Sequence, residues 1–129
     1  MYYYVFFLFI IQPLLEYGAH RKIHLHKDYD ILQIHKTHHK VIHQKKYNNS
    51  IFKNILSSIL TLPICYAPYG EYVWLSFFKY QLAHLILHKY PFVFPQLSKF
   101  HAIHHVNPKV NYTITAMWPD KVFGTYLKI

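Results

Sequence analysis

Ten of the twelve histidines in this chain fall into four short blocks, which constrain its fold more than any other sequence feature. The blocks are His20-x-x-x-His24, His35-x-x-His38-His39, His84-x-x-x-His88 and His101-x-x-His104-His105. Residues three or four positions apart lie on the same face of an α-helix, so each block can direct its imidazoles at one ion. The second pair of blocks repeats the order of the first, and each half of the chain offers five imidazoles. We therefore expect a helical protein that carries one metal-binding device twice.

The remaining composition favours transition metals held by nitrogen ligands. Neutral imidazole suits iron, copper, zinc and nickel. The chain has only five acidic residues, too few and too scattered for a bundle that binds two metals through glutamates. Its single cysteine, Cys65, cannot form an intrachain disulfide or a thiolate zinc site. If two ions are each roughly six-coordinate, ten histidines leave about two positions for water or O2. A nonspecific metal-binding tract or a solvated basic face is the alternative interpretation.

Polar residues close to the blocks are candidates to support the histidine ligands. A histidine that binds a metal usually donates its other ring N–H to a carboxylate, a carbonyl or water. The candidate acceptors are Asp28, Asp30, Asn107, Asn111 and Asp120. The two histidines outside the blocks, His26 and His43, are predicted to be solvated rather than to bind metal.

Apolar and basic stretches alternate along the chain in the pattern of a membrane protein. The chain is 53% hydrophobic and 15% charged, and its apolar segments cover about residues 1–19 and 54–87. The formal net charge of +9 comes from basic residues that flank these segments, which indicates cytoplasmic flanks rather than a nucleic-acid interface. We expect a short N-terminal membrane helix and a helical hairpin that turns at Pro68–Glu71. The hairpin arms are short and one contains Lys79, so a re-entrant or interfacial hairpin is an alternative.

Several motifs resemble those of the fatty acid hydroxylase superfamily, which includes fatty acid 2-hydroxylases, sterol desaturases and sterol methyl oxidases. The matching stretches are Tyr17-Gly-Ala-His20-Arg21-Lys-Ile-His24, His35-Lys36-Thr-His38-His39, Asn111-Tyr112-Thr113 and Trp118-Pro119-Asp120-Lys121-Val122-Phe123-Gly124-Thr125-Tyr126. In the family the last motif is typically Trp-Asp-x-x-Phe-Gly-Thr, so Pro119 is an insertion here. The resemblance covers nearly the whole chain, although members of the family are usually about twice as long.

This resemblance implies a single all-α domain over residues 1–129, with integral membrane helices capped by a cytoplasmic, histidine-rich, helical metal-binding part. Residues 20–53 and 88–129 would form that part, and the ten block histidines would bind two iron ions, which zinc can replace. The implied activity is O2-dependent hydroxylation or desaturation of a fatty acyl or sterol C–H bond. In a eukaryote, the implied location is the endoplasmic reticulum membrane.

Electrons for this chemistry must come from another protein. The chain has only three glycines and no Gly-x-Gly-x-x-Gly fingerprint for a flavin or nicotinamide. The basic surface suits an acidic donor such as cytochrome b5 or a ferredoxin, although simple membrane topology or contact with anionic lipid explains it equally well. The partners expected are therefore a lipid substrate, the membrane and an electron donor, without nucleic acid. The alternative function is a non-catalytic metal-binding membrane protein, or an inactive or truncated homologue.

Overall fold

The described part of the chain is helical throughout. The computed structural model describes residues 2–26, 38–39, 56, 59–60 and 62–128. Its elements are α1 (Tyr2–Phe6), a π-helical turn (Phe7–Ile11), α2 (Gln12–Leu25), a 3-10 turn (Leu62–Tyr66), α3 (Gly70–Lys89), α4 (Pro95–Val106) and α5 (Trp118–Val122). These ranges contain no β-strand, which confirms the all-α expectation for them.

The first three elements follow one another without a break, and a proline explains the change in their winding. Pro13 stands in the first turn of α2 and has no N–H to donate to the carbonyl four residues earlier. The π-helical turn lies just before Pro13, and within it the backbone N–H groups bond to carbonyls five residues earlier, as Gln12 N–H does to Phe7 O. The N-terminal apolar segment therefore continues as a helix through the first histidine block and ends at Leu25.

Glycine and proline residues mark the ends of α3 and α4. α3 begins at Gly70, within the predicted turn, after Tyr69 in the left-handed conformation with φ of 60°. It ends at Lys89, just before Pro91, and α4 has Pro95 in its first turn. The third histidine block thus lies in the last turn and a half of α3, and the fourth lies in α4.

The expected membrane helices are not seen in the ranges that the structure describes. Within these ranges, no helix combines the length and the apolar character that a bilayer crossing requires. α3 is the longest at 20 residues, and it carries Glu71, Lys79 and Lys89 in addition to two histidines. In the first arm of the predicted hairpin, residues 54, 55, 57, 58 and 61 lie outside the described residues.

α3 lies beside the N-terminal helices and runs in the same direction. The rings of Tyr4 and Tyr72 are stacked with centroids 4.5 Å apart. One to two turns further on, the ammonium group of Lys79 donates to the carbonyl of Leu8 and to Gln12 Oε1, the latter at 2.8 Å. The same ammonium lies 5.0 Å from the Phe9 ring centroid. Lys79, which the sequence marks as costly in an apolar arm, is therefore a link between α3 and the π-helical turn.

The interior of the described structure is mainly polar. Buried apolar side chains are few and include Phe100, Tyr112 and Ile114. The buried polar group is larger and contains His20, His84, His101, His104, His105, Gln12, Glu16, Ser98, Asn111, Thr113 and Asp120. Buried polar side chains must find partners, and the arrangement of these partners defines the site.

Candidate metal centre

Nine of the ten block histidines converge in two clusters. The five-histidine cluster consists of His38, His84, His88, His101 and His105, and the four-histidine cluster consists of His20, His24, His39 and His104. In each cluster, one possible ligand atom per residue lies within 4.8 Å of all the others. The tenth histidine, His35, lies outside the described residues. The clusters adjoin, because the ring centroids of His39 and His105 are 4.5 Å apart.

The two halves of the chain exchange histidines between the clusters. His38 comes from the first half but joins the five-histidine cluster, whose other members come from the second half. His104 makes the opposite exchange and joins the four-histidine cluster. Consecutive residues point about 100° apart on a helix, so the adjacent pairs His38–His39 and His104–His105 each divide between the clusters. Each cluster therefore combines histidines from one half of the chain with a single histidine from the other half.

The distances between the ring nitrogens match those between ligands of one metal ion. In the five-histidine cluster, the Nε2 atoms of His88 and His84 are 3.1 Å apart, those of His101 and His88 are 3.0 Å apart, and those of His105 and His101 are 2.9 Å apart. In the four-histidine cluster, His24 Nε2 lies 3.2 Å from His20 Nε2 and 3.0 Å from His104 Nε2. Two nitrogens bound at right angles to one ion, with bonds of about 2.1 Å, lie about 3.0 Å apart.

Two backbone carbonyls determine the tautomers of His20 and His104, so that the ring nitrogen facing the four-histidine cluster carries a lone pair. The Nδ1–H of His20 donates to the Tyr112 carbonyl, and the Nδ1–H of His104 donates to the Val110 carbonyl at 2.7 Å. A carbonyl can only accept, so both Nε2 atoms carry lone pairs. His24 Nε2 lies between them and carries at most one hydrogen. It therefore cannot satisfy both neighbours by hydrogen bonding, whereas one cation can, and these residues fit a metal ion.

Burial favours the neutral, metal-binding form of three histidines of the five-histidine cluster, His88, His101 and His105. Burial and the neighbouring His39 lower the pKa of His88 to about 4. Burial and the surrounding histidines also hold the pKa of His101 and of His105 well below the ordinary value. In the part of the chain that the structure describes, Nδ1 of His101 and Nδ1 of His105 have no hydrogen-bond partner. Deprotonated imidazole is the form that binds metal, so these groups are ready for it at neutral pH.

The histidine-holding carbonyls belong to residues 110–115, which we call the support segment. Four successive amides of this segment donate to two buried carboxylates. Tyr112 N and Thr113 N donate to Asp120 at 2.8 and 2.9 Å, whereas Ile114 N and Thr115 N donate to Glu16, the latter at 3.1 Å. The Thr113 amide is held by Asp120, and the Asn111 amide is held by the Thr125 carbonyl at 3.0 Å. These two amides share peptide units with the carbonyls of Tyr112 and Val110, which are thereby held facing His20 and His104.

The predicted supporting residues contact groups other than the Nδ1–H groups of His20 and His104. The acceptors for His20 and His104 are backbone carbonyls, not the side chains of Asn107, Asn111 or Asp120. Asn107 accepts from the Lys109 amide at 3.3 Å. Asn111, in the left-handed conformation with φ of 55°, donates to Phe100 O at 3.2 Å and accepts from Leu127 N at 2.8 Å.

The remaining candidates lie outside the described residues or away from the clusters. Asp28, Asp30 and His43 are outside the described residues. His26 is described, is exposed at the end of α2 and belongs to neither cluster.

Sequence reasoning missed two contributors to this arrangement. Glu16 is buried in α2 and accepts from Gln12 at 3.0 Å in addition to the support segment. Its signal was a lone acidic residue in an apolar stretch, since such a residue needs partners. The carbonyls of Val110 and Tyr112 left no signal, because every residue carries a carbonyl whatever its side chain.

The chain matches a known protein family over the residues that form both clusters. The family described as fatty acid hydroxylase matches residues 5–125, a range that includes all four histidine blocks. Comparison with curated proteins, and with solved structures, found no match. Because the family match covers nearly the whole chain, this protein belongs to the fatty acid hydroxylase family.

Proposed function

We propose that this protein is a membrane-associated, non-haem di-iron oxygenase that hydroxylates or desaturates a C–H bond of a lipid. The observation that carries the proposal is the pair of adjoining clusters, in which ring nitrogens converge at the spacing of metal ligands. The five-histidine cluster would hold one iron and the four-histidine cluster the other. When bound, the two irons would supply the activation of O2 and of the C–H bond.

The number of ligands in each cluster is compatible with a reactive centre. Five imidazoles on a roughly six-coordinate ion leave about one position open, and four leave about two. His35, outside the described residues, is the remaining candidate ligand of the block pattern. Open positions next to each other are what O2 needs in order to bind, and the contact between His39 and His105 keeps the clusters close together.

A cavity beside the five-histidine cluster supports an apolar substrate. It has a volume of about 490 Å³, and His88, His101 and His105 line it together with apolar side chains such as Leu87 and Ala102. Cavities of this size with apolar walls and few polar groups are typical ligand sites. The histidines would therefore present an iron at the wall of a space suited to an acyl or sterol chain.

The distribution of apolar side chains supports a lipid environment. Large apolar residues are exposed along the N-terminal helices, among them Tyr3 (81%), Phe6 (58%) and Phe9 (61%), while the interior is polar. Exposed apolar surface on this scale marks contact with a partner or a membrane. In the proposal this surface contacts lipid, and the histidine clusters lie on the cytoplasmic side, within reach of an external electron donor such as cytochrome b5 or a ferredoxin.

Lipid mass spectrometry of cells supplied with isotopically labelled O2 tests the proposal. Hydroxylation uses O2, two electrons and two protons, and it leaves one labelled oxygen in the lipid and one in water. Desaturation consumes the same reactants but removes two hydrogens from the lipid and leaves no label in it. We expect the full chain to yield a new labelled or newly unsaturated lipid, His88→Ala to yield none and His26→Ala to yield as much as the unchanged chain.

Iron analysis of the purified chain, combined with this experiment, identifies the alternative functions. A chain that binds iron tightly and yields no oxidised lipid, with reductant and donor protein supplied, would be a metal-binding protein or an inactive homologue. Such a result would contradict the oxygenase proposal while leaving the two clusters as metal sites.

A further inference from the structure

The Asp120 carboxylate lies two hydrogen bonds away from a histidine of the four-histidine cluster. Asp120 is fully buried, and its Oδ2 accepts from the amide of Thr113 at 2.9 Å. That amide belongs to the same peptide unit as the carbonyl of Tyr112. The Tyr112 carbonyl in turn accepts the Nδ1–H of His20, whose Nε2 faces the cluster. A carboxylate, a peptide unit and a candidate metal ligand thus form one continuous chain of hydrogen bonds.

The second histidine held by the support segment lacks this negative charge. The Nδ1–H of His104 donates to the carbonyl of Val110, whose peptide unit carries the amide of Asn111. The Asn111 amide donates to the backbone carbonyl of Thr125 at 3.0 Å, not to a carboxylate. Both histidines therefore donate to a backbone carbonyl. The peptide unit that accepts from His20 donates its own amide to a carboxylate, whereas the peptide unit that accepts from His104 donates its amide to another carbonyl.

We propose that Asp120 is a positioning residue that acts on His20 through the peptide unit joining Tyr112 and Thr113. The carboxylate attracts the amide hydrogen and increases the negative charge on the Tyr112 carbonyl, because linked hydrogen bonds polarise one another. A stronger acceptor holds the Nδ1–H of His20 more firmly, fixes the ring orientation and makes Nε2 a better electron donor to a metal. The inference rests on the proposed metal site, and it makes His20 a more strongly donating ligand than His104.

Glu16 provides a matched control within the same segment. It is also a buried carboxylate, and it accepts from the amides of Ile114 and Thr115. Those amides belong to the peptide units that carry the Thr113 and Ile114 carbonyls, not the carbonyls that hold His20 and His104. Glu16→Gln therefore removes a buried carboxyl group from the support segment without interrupting the chain from Asp120 to His20.

A cobalt titration of the full chain in mild detergent tests the proposal. We compare the unchanged protein, Asp120→Asn and Glu16→Gln, with folding of each checked by circular dichroism. We expect two binding steps in the unchanged protein, and in Asp120→Asn a weakening of one step by about 10–100-fold with a shift of its ligand-field band. In Glu16→Gln, both steps should stay within about threefold of the unchanged protein, even if the variant unfolds at a lower temperature. Equal effects of the two variants, or no effect of Asp120→Asn, would overturn the proposal.

A measurement on the unchanged protein decides the matter if Asp120→Asn does not fold. In the zinc-loaded chain with isotope-labelled histidine, the Nδ1–H proton of His20 should resonate further downfield than that of His104. An equal or smaller downfield shift for His20 would contradict polarisation by Asp120. If the unchanged protein binds neither cobalt nor zinc, the metal site itself fails, which is a different outcome from either of these.

Discussion

At the scale of single residues, two pairs of adjacent histidines divide between the two clusters. His104 and His105 are neighbours in α4, yet they belong to different clusters, as do His38 and His39. A shift of one residue along α4 would rotate His104 and His105 by about 100° and move both away from their clusters. The block pattern alone contains no information about this division, because it depends on how the helices pack against one another.

Substitution of these neighbours should reveal the division between the clusters. We expect His104→Ala to weaken metal binding at the four-histidine cluster and His105→Ala to weaken it at the five-histidine cluster. The double variant should then lose both ions. His24→Ala combined with His104→Ala should lose little more metal than either change alone, because both residues belong to the four-histidine cluster. Elemental analysis of the three single and two double variants checks this expectation. Equal metal loss from the two double variants would contradict the assignment.

The low pKa of His88 predicts how the metal-free protein responds to acid. His88 titrates at about 4 in the folded chain and at about 6.5 when unfolded, so between these values only the unfolded chain binds the proton. Stability is therefore unaffected above pH 6.5 and falls as the pH drops from 6.5 to 4, by about 1–3 kcal/mol for this residue. Chemical unfolding at a series of pH values, with metal removed by a chelator, measures this slope. His88→Gln should have a shallower slope, and an unchanged slope would contradict the argument.

At the scale of the elements, the N-terminal helices and α3 are joined by a polar link. Lys79 connects the Leu8 carbonyl in the π-helical turn to Gln12, and Gln12 donates to Glu16, which holds the support segment. The π-helical turn before Pro13 thus takes part in the connection between α3 and the four-histidine cluster. This connection explains why a lysine occurs in the middle of an apolar helix.

Removal of the Lys79 ammonium should loosen this link. Lys79→Met keeps a side chain of similar length but removes the ammonium donor to the Leu8 carbonyl and to Gln12 Oε1, which retains Thr115 Oγ1 as a donor at 3.3 Å. We expect a cost of about 1–3 kcal/mol in unfolding free energy. Lys89→Met, at the exposed end of α3, is the matched control and should cost less than about 0.5 kcal/mol. Thermal unfolding of both variants in detergent provides the comparison. A Lys79→Met variant as stable as the control would show that the link contributes nothing to stability.

At the scale of the whole molecule, the sequence predicted which histidines lie together better than it predicted the groups that hold them. The spacing of the blocks identified the nine histidines that converge, and the turn near Pro68 and Gly70 precedes α3 as expected. The acceptors of His20 and His104 could not be predicted, because backbone carbonyls have no side-chain signature. The apolar segments predicted membrane helices, but in the described ranges charged residues such as Glu16 and Lys79 lie within those segments and form internal contacts.

The central claim is that two ions bind in two adjoining histidine clusters. The measurement that tests it most directly is elemental analysis of the full chain, purified in mild detergent and shown to be folded. We predict close to two transition-metal ions per chain, iron in the active form and zinc where it has replaced iron. His26→Ala should retain both ions, since His26 lies in neither cluster. One ion or none in the folded, unchanged chain would contradict the account.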